Sequence, residues 1–544
     1  MKTRYALAWL TLLGGTSGAL AQELNSEITV THEIVPEERA ATRLRLLPQV
    51  SLPAVKAGRL PAASTFAPTQ FTPYMNPLEA AGYLSTLTKT PWRGYAALGY
   101  GPVYSLAASA GYRFVDRDSL RVDGYLQFNG DSYVSKYPGL PFFYDGKVCF
   151  RRNTGLVGAN TTWTARAGQL TAAVLYQLSD YNFPILVLDP QNPTTDHHQI
   201  DANQAKVLVG WKSNPGTISY GLNGEYDLMY FGNSSANNRG KLGGNVSWQA
   251  SKVSSWGLDL SLALTNSSIL GNKGIFHIEP FYGYTGRNLT AKVGLDIDVK
   301  TGNLYYYKRA LVAPRLNIAW TPSTFFALWG QISGRMDDNF RGAIYDEQPY
   351  LMSDFDAGFS RLYDAKVGFT IGPWKGASIG IFGGYMTAKD WYMPAIETGY
   401  MASFPEVKGF YGGASFSYDY RRLLSIRAKA ELADSPRGDY TRGYALWRDH
   451  AKFNLSASLT VRPIQPLEIT IGYKLRTGRE KTLGANLDLN LLKVNNLTAS
   501  INYRLNDQWG IFLTGDNLAN QKWYLGPAVP CRGISGLIGA TCKF

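Results

Sequence analysis

The chain closes on ISGLIGATCKF, residues 534–544, and this stretch decides the fold. Counting back from the end, Phe544, Cys542, Ala540, Ile538, Gly536 and Ile534 share one face of an extended strand. Lys543, Thr541, Gly539, Leu537 and Ser535 share the other, because successive side chains of a strand point to opposite sides. One face is apolar and the other mixed. WGIFLTG, residues 509–515, repeats the pattern one strand earlier through Trp509, Ile511, Leu513 and Gly515. A free carboxylate directly after a lipid-facing phenyl ring suits a last strand that ends at the periplasmic rim of an outer-membrane barrel.

The same alternation recurs upstream. Trp256, Leu258, Leu260, Leu262 and Leu264 alternate with Gly257, Asp259, Ser261, Ala263 and Thr265. Leu424, Ile426, Ala428, Ala430 and Leu432 alternate with Ser425, Arg427, Lys429 and Glu431. Phe453 to Val461 and Leu467 to Leu475 behave alike, with Arg462, Lys474 and Arg476 on the polar side. A Lys or Arg facing hydrocarbon near the midplane costs ~2–4 kcal/mol. In these strands the charges keep to one face, which favours a membrane barrel over a soluble sandwich.

Connections fall into two classes. Short turns are expected at Asn214-Pro215-Gly216, Gly286-Arg287-Asn288, Thr321-Pro322-Ser323, Arg421-Arg422, Pro463-Ile464-Gln465 and Asn506-Asp507. Long loops are expected near 131–147, 180–198, 336–354, 391–407, 434–447 and 518–532. Short and long alternate, as periplasmic turns and external loops must. Trp256, Trp320, Trp374 and Trp509 sit beside short turns, where an inner aromatic girdle belongs. Both chain ends must be periplasmic, so the strand number is even. With 478–495 assigned to an external excursion, the tally is about twenty-two. The fold class is therefore all-β, a transmembrane antiparallel barrel over residues 91–544.

Composition agrees. The 544 residues are 45% hydrophobic and only 17% charged, with 56 Gly and 35 Tyr, as when half the strand positions face a polar interior. After residue 22 there is no apolar run long enough for a spanning helix. The net charge is +13, and no basic helix or zinc spacing directs it to nucleic acid. Anionic lipopolysaccharide or an acidic ligand suits it better. Residues 1–21 read as a secretory leader: Lys2 and Arg4, an apolar core from Tyr5 to Leu13, and Ala19-Leu20-Ala21 before Gln22. Residues 22–90, punctuated by Pro36, Pro48, Pro53, Pro61, Pro68, Pro73 and Pro77, read as an extended periplasmic or lumenal arm. Within it, Glu27-Ile28-Thr29-Val30-Thr31 is a β-prone patch able to add a strand to a partner's sheet.

Chemistry is sparse. Asp196-His197-His198, expected in a loop, has metal-ligand residue types, but solvated loop histidines are the commoner case. Asp449-His450 has no identifiable nucleophile beside it. No phosphate loop lies between a strand and a helix. No enzyme, cofactor or metal is expected. Cys149 and Cys531 are candidates for an external disulfide, while Cys542 belongs to the lipid face. Two features can carry recognition. The polar face near the chain's end is basic, through Arg427, Lys429, Arg462, Lys474, Arg476 and Arg504 against Glu431 and Glu468. Such a wall favours anions, or else packs as inward salt bridges. The long loops carry Tyr181, Phe183, Phe340, Tyr345, Tyr350, Trp391, Tyr392, Tyr400 and Phe404, suited to sugar, peptide or protein contacts or to closing the mouth.

The end of the chain resembles that of TonB-dependent outer-membrane receptors. Their penultimate strand runs into an Asn-Leu pair and a Tyr-containing loop with Gly and Pro, then a Gly and a closing aromatic strand. Here these are Asn517-Leu518, Tyr524, Gly526-Pro527, Pro530, Arg532-Gly533 and Phe544. The resemblance implies the barrel fold, an outer-membrane location, and recognition of Phe544 and its strand by the barrel assembly machinery. It makes Glu27–Thr31 similar to the energy-coupling box that TonB engages. It departs in one respect: family members hold a folded plug larger than all of residues 22–90. Two functions follow. One is transport or capture of a solute by a plug-less relative; the other is a non-transporting scaffold or accessory subunit of an outer-membrane complex.

Overall fold

The computed structural model describes residues 92–544, apart from 103, 137–146, 188–193, 232–234, 268–270, 303–309, 348–357, 395–400, 435–450, 479–492 and 527–528. The expected leader, the arm and Glu27–Thr31 lie outside the described residues. The strands run β1 (Gly94–Gly101), β2 (Ser105–Asp116), β3 (Leu120–Lys136), β4 (Lys147–Ala165), β5 (Gly168–Val187), β6 (Thr194–Ser213), β7 (Ile218–Phe231), β8 (Ser235–Gln249), β9 (Ser254–Ser267), β10 (Gly271–Thr285) and β11 (Leu289–Gly302). They continue with β12 (Ala310–Ser323), β13 (Phe326–Asp337), a helix α1 (Arg341–Glu347), β14 (Ser360–Trp374), β15 (Ala377–Pro394), β16 (Met401–Tyr420), β17 (Leu424–Asp434) and β18 (Phe453–Ile464). Last come β19 (Leu467–Thr477), β20 (Val494–Arg504), β21 (Trp509–Asp516), the short pair β22 (Tyr524–Gly526) and β23 (Val529–Pro530), and β24 (Ser535–Lys543).

All but β22 and β23 form one 22-stranded sheet. Neighbours in sequence pair antiparallel, β21 pairs with β24, and β24 returns to β1 from Tyr95↔Lys543 to Tyr100↔Ile538. The ring is closed, as it must be where no water can satisfy a free sheet edge. Closure ends on Phe544, whose carbonyl accepts from the Arg93 and Gly94 amides and whose own amide donates to Gly94. Its ring stacks on Tyr112 at 6.2 Å, on the outer face.

The outer face carries the apolar residues of the repeats. Leu264, Leu513 and Ile538 are exposed, as are Trp256, Trp320, Trp374 and Trp509 beside the short turns, joined by Trp163 and Trp248. The inner face takes the charges. No helix among the described residues is long and apolar enough to cross a membrane; this chain crosses with strands. The barrel spans the bacterial outer membrane.

Three expectations need correction. The loops near 180–198 and 391–407 are largely strand: β5 and β6 pair up to Val187↔Thr194, and β15 and β16 up to Pro394↔Met401. Asp196-His197-His198 therefore lies in a paired strand. Alternation fades there because, past the bilayer, the outer face no longer meets hydrocarbon and both faces accept polar residues. Thr321-Pro322-Ser323 and Pro463-Ile464 are strand ends with a register shift, and the turns follow them. Cys149 and Cys531 are both free thiols. Cys531 is turned inward, accepting from the Trp523 amide at 3.2 Å and donating to the Gln521 carbonyl, and burial pushes its thiol up to about 12.

The last external connection folds on the inner wall. Asn517, with φ 49°, donates through Nδ2 to the Gln521 and Arg532 carbonyls, both at 2.8 Å. Arg532 then reaches across the β24–β1 seam, donating to Ser105 Oγ, to Asp131 and, at 2.7 Å, to the Pro102 carbonyl. Two outcomes follow. Leu260→Arg, on the lipid face of β9, lowers stability by ~2–4 kcal/mol in urea unfolding from lipid vesicles, while Ser261→Arg, one residue on and facing inward, costs far less. Arg532→Ala takes the guanidinium from Asp131, which keeps only Ser105 Oγ at 3.1 Å, and removes about 1–3 kcal/mol in the same measurement.

Candidate functional site

Inward positions on β9 to β12 build a continuous charged patch. Period-two alternation places Asp259, His277, Glu279, Lys292, Asp296, Asp298 and Arg315 on the same side, and the register of β10 on β11 sets His277 opposite Asp298. His277 Nδ1 lies 2.6 Å from Asp298. Lys292 Nζ lies 2.6 Å from Glu279 and 3.0 Å from Asp259, over the Phe281 ring at 3.8 Å. Arg315 stands 3.6 Å from Asp296 and 3.9 Å from Glu279. His277, Glu279 and Asp296 bring ligand-type atoms within 4.8 Å of one another. Lys292 and Arg315 already neutralise those carboxylates, so the donor set reads as an ion-paired wall and not as a metal centre.

This wall borders a place where the ring loosens. β12 and β13 pair only from Ser323↔Phe326 to Leu316↔Ile332. Above that, β12 stays with β11 up to Val299↔Ala310, and β13 stays with β14 up to Asp337↔Ser360. Pro314 stands where the ladder stops; it has no N–H to give. Released, the upper half of β13 lies behind β12, on the lumen side. Its freed amides find new acceptors across β12: Gly334 N donates to Asp296 at 3.0 Å and Met336 N to Asp298 at 2.6 Å. Met336 packs with Ile275, Leu311, Ala313 and Phe359. Gly334 must be glycine, since a Cβ there would collide with the Ala313 methyl.

From β13 the chain continues inward. Thr265 Oγ1 donates to the Asp338 carboxylate, Lys273 Nζ donates to the Asp338 carbonyl at 2.5 Å, and Arg239 lies 3.8 Å from the same carboxylate. Arg239 also covers the Phe340 ring at 4.5 Å and pairs with Glu225 at 3.0 Å. Asn339 Nδ2 ties the two legs of the loop, donating to Gly358 O at 2.7 Å and Ser360 Oγ at 2.8 Å. Phe340 and Ile344 are 1% and 0% exposed, and α1 rests against β7. Thr265, Lys273 and Arg239 all alternate onto the inner face, so this loop is folded into the barrel.

The basic residues expected near the chain's end all fall on the inner face by register. Arg427 pairs with Asp419 at 3.2 Å, Lys429 with Glu431, and Arg462 with Glu468 at 2.6 Å; Arg504 is exposed. Of the loop aromatics, Trp391 is buried at the top of β15 and is not displayed to solvent, while Tyr392 is half-buried. Tyr345 lies on α1. Tyr350, Tyr400 and the Asp449-His450 pair lie outside the described residues. The β9–β12 patch and the Asp338 contacts escaped the sequence reading. Their signal was present, in polar residues at alternate positions of adjoining strands with Pro314 interrupting one. Gly334→Val should push β13 off β12 and cost about 1–3 kcal/mol, read by urea unfolding.

No protein-family model and no curated protein matches the sequence. Solved structures do. The FrpB iron transporter from Neisseria meningitidis (F3-3 variant) aligns with 84% of this chain and 82% of its own, at a TM-score of 0.62 and 13% identity. The siderophore receptor PirA from Acinetobacter baumannii aligns over 83% and 80%, at 0.61 and 9% identity. A mutant of the ferric enterobactin receptor PfeA from Pseudomonas aeruginosa gives 83% and 80%, at 0.59 and 10% identity. At these identities the likeness is one of fold. In fold, the chain is a 22-stranded outer-membrane barrel of the type found in TonB-dependent receptors.

Proposed function

We propose that this protein captures a solute at the outer membrane and passes it through the barrel. One observation carries the reading: the inner face of the ring bears charged and hydrogen-bonding side chains from Arg462, near the periplasmic turns, to Asp338 at the far end of the wall. Such a polar inner face suits a polar solute. The iron transporter and siderophore receptors of like fold support the same reading. Arg427 and Lys429 keep about half of their side-chain surface exposed beside their carboxylate partners, which favours an anionic solute. In this reading Glu27–Thr31 is the segment that a periplasmic energy-coupling partner such as TonB engages.

A scaffold or accessory role is favoured by one feature: two external connections, at 338–347 and 517–532, are pinned against the inner wall. Planar-bilayer conductance of the chain with and without residues 22–90 separates the two. A steady conductance, with a reversal potential on the anion side under a salt gradient and weakened by Arg427→Glu with Lys429→Glu, supports solute passage. A silent barrel that co-purifies with other outer-membrane proteins supports the scaffold.

A further inference from the structure

We propose that the segment from Asp338 to Ile344 is a releasable strap on the lumen wall, and that Asp338 is its latch. The segment leaves β13 and reaches round the inner wall as far as β6, where Gly342 lies against Gln204. Lying along that arc of the wall, it narrows the passage that solute transfer needs. The proposal deepens the solute-passage reading and takes its purpose from it.

What the strap rests on argues for release. Phe340 and Ile344 are fully buried, yet the bed is polar and can be rewetted: it includes Gln204 and Arg239, with Thr265 and Lys273 at the latch. Arg239 keeps Glu225 at 3.0 Å whether or not the strap is seated, and gives up only its 3.8 Å contact with Asp338 and its cover of the Phe340 ring. When the strap lifts, water reclaims these groups. The latched and lifted states are thereby close in energy, which a two-state element requires.

The base of the strap is also built to move. Above Ile332, β13 is not held to β12 by a ladder. On that side its near leg is held by two carboxylate–amide bonds, Asp296 to Gly334 and Asp298 to Met336, while the ladder to β14 runs on to Asp337↔Ser360 and sets the hinge just beyond it. The far leg is tied to the near one through Asn339, which couples the two legs at their base. A hinge, a cross-tie and a latch are thus assigned to separate residues.

The test uses the full chain with Cys149→Ser, so that the exposed native thiol is silent. Ile344→Cys reports lifting through its reaction with a membrane-impermeant maleimide added outside whole cells. With the latch intact, labelling is slow; Asp338→Ala or Arg239→Ala speeds it on the order of ten-fold. A second chain carries Thr265→Cys with Asp338→Cys, which replaces the latch by a disulfide. Oxidised, it blocks conductance in planar bilayers; reduced, it restores it, in the same folded molecules. Labelling that ignores the latch variants, together with an oxidised lock no different from the reduced one, overturns the strap. Faster labelling in the latch variants with no conductance under any condition keeps the strap and overturns solute passage.

Discussion

A backbone amide inside a bilayer has no water to turn to, and this single constraint shapes the protein. It forces the strands to pair all the way round and brings β24 back to β1. It also explains the exception. Where Pro314 withholds a donor, the ladder between β12 and β13 ends, and the amides set free are not left bare. Asp296 and Asp298 accept them from across an intervening strand. The charged wall is thus a second hydrogen-bonding system inside the first, and the loop beyond β13 enters the lumen because that system holds its root.

The barrel was legible in the sequence because lipid imposes a simple rule. Leu258, Leu260 and Leu262 can face hydrocarbon and Asp259 and Ser261 cannot, so side, register and turn position follow from period two. The same rule explains where legibility ended. Outside the bilayer no solvent enforces alternation, and the paired upper parts of β5 and β6 read as a loop although their backbones are strands. The inward fold of Asp338 was hidden for another reason: its partners Arg239, Thr265 and Lys273 lie on three different strands, far apart in sequence. Register sets Arg239 and Lys273 on either side of Thr265, and the inward turn of the chain after β13 brings Asp338 to them.

The six basic residues near the chain's end illustrate a similar limit. Periodicity assigned Arg427, Lys429 and Arg462 to the lumen along with Glu431 and Glu468, but it did not say which of them touch, and it left out Asp419. Asp419 sits on the preceding strand, and Glu431 and Glu468 two and six positions away in sequence. Whether an inward cation meets a carboxylate or a passing anion depends on cross-strand neighbours, which register decides and composition does not.

Arg532 has a role set by where it lies in the chain. It immediately precedes the final strand, whereas Ser105 and Asp131 belong to strands made hundreds of residues earlier. Their contact can form only once both ends of the sheet have met. A slip of one residue at that junction would carry Arg532 out of reach of Ser105 and Asp131, leaving its guanidinium without a carboxylate. The clamp therefore acts as a check on stitching: the ring earns its last buried charge pair only if its first and last strands are aligned.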